Sequence, residues 1–189
     1  MSIAYLPGLE PRRAARAALS LDPLPGPAKR VWLVSCSAMK RSQPAEARSL
    51  YTSPLFRKSR ALVERTGDPW LILSAEHGVV HPNRVLAPYD TTLSKMLKKD
   101  RLAWGRNVAA QLAQIHEITP ETELIALAGA AYLDPMRAAG VKLSDPLAGQ
   151  QIGERLHSLS ESLSDSGSRT RWTHAITTTL APRTRKKEP

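Results

Sequence analysis

Trp70-Leu71-Ile72-Leu73-Ser74-Ala75-Glu76-His77-Gly78-Val79-Val80-His81-Pro82 passes from four apolar residues directly into a polar cluster. Those four residues are apolar throughout rather than alternating, which suits a strand covered on both faces in a parallel sheet. Length separates such a run from a buried helix segment, since four or five residues bounded by Pro, Gly or Ser favour a strand. Two more runs have the same form. Val31-Trp32-Leu33-Val34 leads into Ser35-Cys36-Ser37-Ala38-Met39-Lys40, and Leu124-Ile125-Ala126-Leu127 leads into Ala128-Gly129-Ala130-Ala131-Tyr132.

Helical spacing fills the intervals. Ser53 and Pro54 form a start signal, a hydroxyl at the N-cap and proline at the first helical position. That helix runs to about Thr66, stops at Gly67, and turns Leu55, Ser59, Leu62 and Val63 to the sheet. A second helix fits residues 100–117, with Trp104, Val108, Leu112 and Ile115 on one stripe, and shorter ones fit Pro135–Ala139 and Gly149–Leu159. Strand, helix, strand, helix, strand is the grammar of an α/β layer fold. We expect one domain over residues 31–160, with a mostly parallel open sheet and flanking helices.

The ends read differently. Residues 1–30 hold five prolines and form a Pro/Arg-rich extension, with a helical turn or two around Arg12–Leu19, and residues 161–189 form a basic, partly disordered tail. No stretch approaches the length of a membrane span, the N-terminus lacks the apolar core of a secretion signal, and one cysteine cannot make an internal disulfide. A cytoplasmic protein with no obligate protein partner is expected.

The formal charge of +10 is unevenly spread. Residues 40–106 carry 13 basic and 6 acidic groups, a net of +7, whereas residues 107–182 carry 5 and 8, a net of −3. The half that bears the polar clusters is therefore the basic half, and a polyanion, most simply nucleic acid, would be drawn to it. The competing account is that the excess Arg and Lys only keep the protein soluble.

Each polar residue has a chemical and a structural reading. Asp90, after Pro88-Tyr89, could activate water or stabilise positive charge on a sugar, or it could make an Asx-turn or helix cap. His77, before Gly78, could protonate a leaving base, hold a phosphate or orient Asp90, and Glu76 and His81 share its loop; satisfying a loop carbonyl is the alternative. Glu76 is as much a salt-bridge neighbour as an acid or base. Lys40 could bind phosphate with Arg41 beside it, or form a Schiff base if desolvated. Cys36 is more often a packing residue than a nucleophile, and its spacing from His77 and His81 fits no zinc pattern, so no metal or other cofactor is expected. Tyr51, Tyr89 and Tyr132 could stack on a flipped-out base or belong to the core. Ser37, Ser53 and Ser74 could donate hydrogen bonds to a ligand or serve as strand-end and cap residues. Phosphate loops, dinucleotide fingerprints and the Gly-x-Ser-x-Gly elbow are missing from the sequence.

The run from Leu73 to Pro82 with Pro88-Tyr89-Asp90-Thr91-Thr92-Leu93 resembles the central motif of the YaaA-like superfamily. Ser35–Lys40 is similar to its N-terminal strand-end motif, Leu50-Tyr51-Thr52-Ser53-Pro54-Leu55-Phe56 to its Tyr-x-Ser-x-Leu-Phe element, and Ala128–Tyr132 and Pro146–Gly153 to its small-domain branch. The resemblance spans about residues 31–160 and implies dealings with nucleic acid. One branch is linked to DNA binding under oxidative stress; others resemble partners of base-modification or phage-conflict systems. In the stress branch the residue after Pro-Tyr need not be acidic, so Asp90 inherits no role from it. Taken with the residues, the resemblance implies a DNA glycosylase for a modified base, with Asp90, His77 and Lys40 catalytic and with Cys36, Ser37, Arg41, Tyr51, Ser53, Glu76 and Tyr89 binding substrate. A non-catalytic DNA-binding protein and a Lys40-dependent base transferase are the alternatives.

Overall fold

The computed structural model of the chain describes residues 27–164. The elements run β1 (Arg30–Ser35), β2 (Ala45–Glu46), α1 (Ala47–Leu50), α2 (Pro54–Thr66), β3 (Trp70–Ser74), β4 (Gly78–Val80), β5 (Val85–Leu86), a 3-10 turn (Leu93–Lys95), α3 (Lys98–Leu112), β6 (Glu123–Leu127), α4 (Ala130–Ala138) and α5 (Ile152–Ser164). The three apolar runs are the three parallel strands. β1 lies between β3 and β6, with Trp32 opposite Trp70 on one side and Ile125 on the other. Its four apolar residues are all buried, as a strand with both faces covered requires.

The connection from β1 to β3 and the one from β3 to β6 cross the sheet in opposite directions. Right-handed crossovers then put α2 and α3 on opposite faces. α5 packs beside α2, and α4 beside α3. The result is one α/β domain with a four-stranded, mostly parallel sheet. Because β1 feeds one face and its neighbour β3 the other, a topological switch point opens at their carboxyl ends, where open α/β sheets place ligands.

Several boundaries differ from the sequence expectation. α2 has the expected ends, Ser53 capping through Phe56 N–H at 3.2 Å and Gly67 closing it at φ 74°, but its buried stripe takes in Phe56 rather than Leu55. α3 ends at Leu112 because the next turn tightens into Gln114-to-Gln111 and Ile115-to-Leu112 bonds, which still bury Ile115. α4 starts at Ala130, with Pro135 inside it rather than at its first position. α5 runs to Ser164, and Ala28 N–H bonds the Glu117 carbonyl, so the folded unit exceeds residues 31–160 at both ends. The helical turn at Arg12–Leu19, the rest of the N-terminal extension and the tail beyond Ser164 lie outside the described residues.

β4 carries a larger consequence. Gly78, at φ +71°, reverses the chain so that β4 runs antiparallel to β3. His81 is thereby carried to the amino end of the sheet, away from Glu76 and His77. There it lines a pocket of about 180 Å³ with Val31, Trp70, Asn83, Ile115 and Ile118. No described helix is long and apolar enough to cross a membrane.

α3 and α4 meet at a point with no slack. A Cβ on Gly105 would lie 2.2 Å from the Pro135 carbonyl oxygen, so only glycine allows the two backbones to approach. Alanine is the better helix former by about 1 kcal/mol, yet Gly105→Ala is expected to destabilise the domain by about 1–3 kcal/mol through overpacking. Urea unfolding measures this, and an unchanged or raised midpoint would contradict the close contact.

Candidate functional site

At the carboxyl end of β3 sits Ser74, fully buried. Its hydroxyl oxygen accepts the N–H groups of Glu76 at 3.2 Å and His77 at 2.9 Å, which folds the loop back over the strand end. The same oxygen lies 2.8 Å from Tyr89 Oη, and Tyr89 Oη lies 2.8 Å from Tyr51 Oη. With both lone pairs taken by amides, Ser74 donates to Tyr89. Three hydroxyl protons thus serve two oxygen–oxygen contacts. One proton, on Tyr51 or Tyr89, is left for whatever enters the site. Burial pushes both phenols well above their ordinary range, with the Cys36 side chain adding to the effect, so they are donors and not phenolates.

Lys40 and His77 both pack on Tyr89. An isolated antiparallel bridge sets Lys40 beside Tyr51 and brings the Lys40 ammonium to 4.2 Å from the Tyr89 ring centre and 5.8 Å from that of Tyr51. His77 meets the Tyr89 ring edge-on at 5.1 Å. Burial lowers the His77 pKa, Glu76 opposes that shift, and Arg84 reinforces it. The imidazole is neutral at pH 7 and suited to accept a proton. Glu76 is exposed and its carboxylate accepts the Thr91 hydroxyl. Cys36 is buried, with its sulfur 3.1 Å from Tyr132 Oη.

Other expected residues stand apart. Ser53 is spent as the α2 cap, Arg41 holds the Ser49 carbonyl through Nε at 2.9 Å, and the Ser37 hydroxyl bonds the Met39 carbonyl at 3.0 Å. The Tyr51 ring is 2 % exposed and packs on Phe56 at 5.0 Å, so stacking on a base is closed to it and only its hydroxyl remains available. Asp90 follows Tyr89 but is exposed and, among the described residues, makes no hydrogen bond or ion pair. It caps neither the 3-10 turn nor α3. No described cluster of three or more His, Cys, Asp or Glu has metal-holding geometry.

Supporting residues came from helix interiors that the sequence presents as ordinary. Trp104 Nε1 donates to the Ser74 carbonyl at 2.9 Å and stacks edge-on against Tyr132 at 5.5 Å. Gln111 clamps the β3–β4 turn, accepting from Val79 N–H and donating to the His77 carbonyl at 3.3 Å. Gly78 takes the left-handed conformation at φ +71° that favours glycine, and a Cβ there would meet the Gln111 amide at 2.1 Å and push the clamp aside. Arg155 joins the end of β6 to the segment before α5, donating to the Ala128 and Gln150 carbonyls at 2.8 and 3.1 Å beside Asp145.

The His77 shift has a testable sign. The folded protein keeps His77 neutral while the unfolded chain protonates it near pH 6.5, so its contribution holds above that pH and is lost as pH falls below it. NMR titration is expected to give His77 a midpoint below 6.5, with His77→Gln removing that part of the pH dependence of stability. A midpoint at or above 6.5 would contradict the half-buried, neutral imidazole.

No curated protein matches the chain, and no solved structure does. Residues 31–161, which contain every side chain of the site, match the family of unknown function DUF6884, and the chain belongs to that family.

Proposed function

We propose that this protein is a cytoplasmic enzyme that binds DNA and cleaves the N-glycosidic bond of a modified nucleobase, and that its family is a branch of the YaaA-like superfamily serving in defence against phages with altered bases. One observation carries the reading. The ammonium of Lys40 and the neutral imidazole of His77 both pack on the half-buried Tyr89, whose pair with Tyr51 keeps one proton to donate, at the switch point of the sheet and in the basic half of the chain. Asp90 stands one residue further on with its carboxylate uncommitted to the fold.

The roles follow from protonation state. Water adds to C1′ of the sugar and gives its proton to His77, while the pair of electrons in the C1′–N bond leaves with the base. Asp90 faces the positive charge that develops on the sugar, as carboxylates do in glycoside cleavage. The spare tyrosine proton hydrogen-bonds the departing base and Lys40 supplies it a proton. Solvent then takes the proton from His77 and restores that of Lys40. Tyr132, partly buried at the start of α4, replaces Tyr51 as the aromatic surface for an extruded base.

The exposure of Asp90 favours a second reading, a DNA-binding protein that does no chemistry. One assay separates the two: oligonucleotides carrying canonical or bulky modified bases are incubated with protein, treated with alkali, and scored for breaks at abasic sites. Base release is expected on one class of modified substrate, falling by about 100-fold or more in Asp90→Ala and His77→Gln with little change in affinity. If wild type leaves every substrate uncut but Lys40→Ala still weakens binding, the non-catalytic reading replaces the enzyme.

A further inference from the structure

Beside the site, α3 and α4 begin on the same edge of the sheet. Helices that connect parallel strands run back against them, so Lys98 and Ala130 both lie near the carboxyl ends of the strands. Between the first turn of α3 and the length of α4 is a groove of about 540 Å³. Lys98 and Arg101 line one wall, and Ala131, Asp134 and Pro135 the other. It lies next to the site along α4: Ala131 lines it, and the next residue, Tyr132, bonds Cys36 and packs on Trp104.

The approach to this groove is built against the interest of the fold. Residues Lys95 to Lys99 read Lys-Met-Leu-Lys-Lys, and the three lysines are exposed. Leu97 occupies the N-cap of α3, is 64 % exposed and makes no side-chain cap bond. Leucine is among the poorest caps, and serine or aspartate there would stabilise the helix. A poor local choice held out in solvent among cations is the kind of violation that marks a working surface. An anionic peptide would match the charge but would leave the exposed leucine without purpose.

We infer that this groove seats the nucleic-acid strand that flanks the nucleotide in the site, with Lys98 and Arg101 on its phosphates and Leu97 against the base left unstacked at the mouth. The inference rests on the proposed action on DNA, but it concerns binding alone. Phosphate contacts from two cations give a salt-dependent grip, and an apolar side chain at a disrupted stack compensates for lost base contact.

The test is fluorescence anisotropy of a labelled oligonucleotide duplex with one unpaired nucleotide, measured at several salt concentrations. Lys98→Glu is expected to weaken binding by about 10-fold and to lower the salt slope by about 1. Lys142→Glu, the same charge change on an exposed loop after α4, is expected to alter affinity by less than about 2-fold. Leu97→Ser is expected to raise the thermal midpoint by about 2–4 °C while weakening duplex binding several-fold, a pairing that misfolding cannot produce. Equal losses in the two charge variants, or full affinity in Lys98→Glu and Leu97→Ser, overturn the groove and leave the enzyme reading standing. A wild type that binds but releases no base overturns the enzyme reading, while selective loss in Lys98→Glu still supports the groove. Absence of wild-type binding overturns both.

Discussion

The hydroxyl of Ser74 can accept only twice, and in this fold both acceptances go to the amides of Glu76 and His77. Its proton must therefore go to Tyr89, which fixes that ring between β3 and Tyr51. The position of the Lys40 ammonium and of the His77 imidazole follows, because each rests on Tyr89. Remove the serine oxygen and two loop amides and a half-buried phenol lose a partner together, a cost larger than one ordinary hydrogen bond.

That hydroxyl lies where it does because β1 is central. A strand buried on both faces, whose own connection leaves to one side while those of its neighbours leave to the other, opens a crevice at its carboxyl end. The chain fills the crevice from four separate segments: Cys36–Lys40 after β1, Ser74–His77 after β3, Tyr89 from the loop after β5 and Tyr132 from α4. Trp104, Gln111 and Gly105 on α3 fasten those segments from outside, through the Ser74 carbonyl, the β3–β4 turn and the close seat of α4. The proposed chemistry uses the side of Tyr89 that these supports leave to Lys40 and His77.

The three strands and α2 were legible because their signals are local: uninterrupted apolar runs, Ser53-Pro54 at a start and Gly67 at a stop. So was the delivery of Lys40 and His77 to one edge, since residues that follow parallel strands share that edge, whereas Tyr89 comes from the loop after the antiparallel β5. What the sequence hid depends on reversal or on distance. A strand of three residues, Gly78–Val80, is too short to announce itself, yet it carries His81 to the far end of the sheet. Pro135 looked like a helix start because proline is favoured there, but Gly105 admits its backbone within a helix. Ser74 gives the same signal as any strand-end serine, and Trp104 and Gln111 read as core and surface of a helix. Their partners lie 30 or more residues away in the chain. Asp90 had two readings, and the structure supplies neither the cap nor the Asx-turn that the structural one needs.

The most direct test of the convergence is NMR titration of the folded protein with a short oligonucleotide that carries a bulky modified base. Ligand in this site is expected to shift the amides of Ser74, Glu76 and His77 and the His77 ring together, at one affinity. Shifts confined to Trp70, Leu71, His81 and Asn83, around the pocket at the amino end of the sheet, would contradict the account.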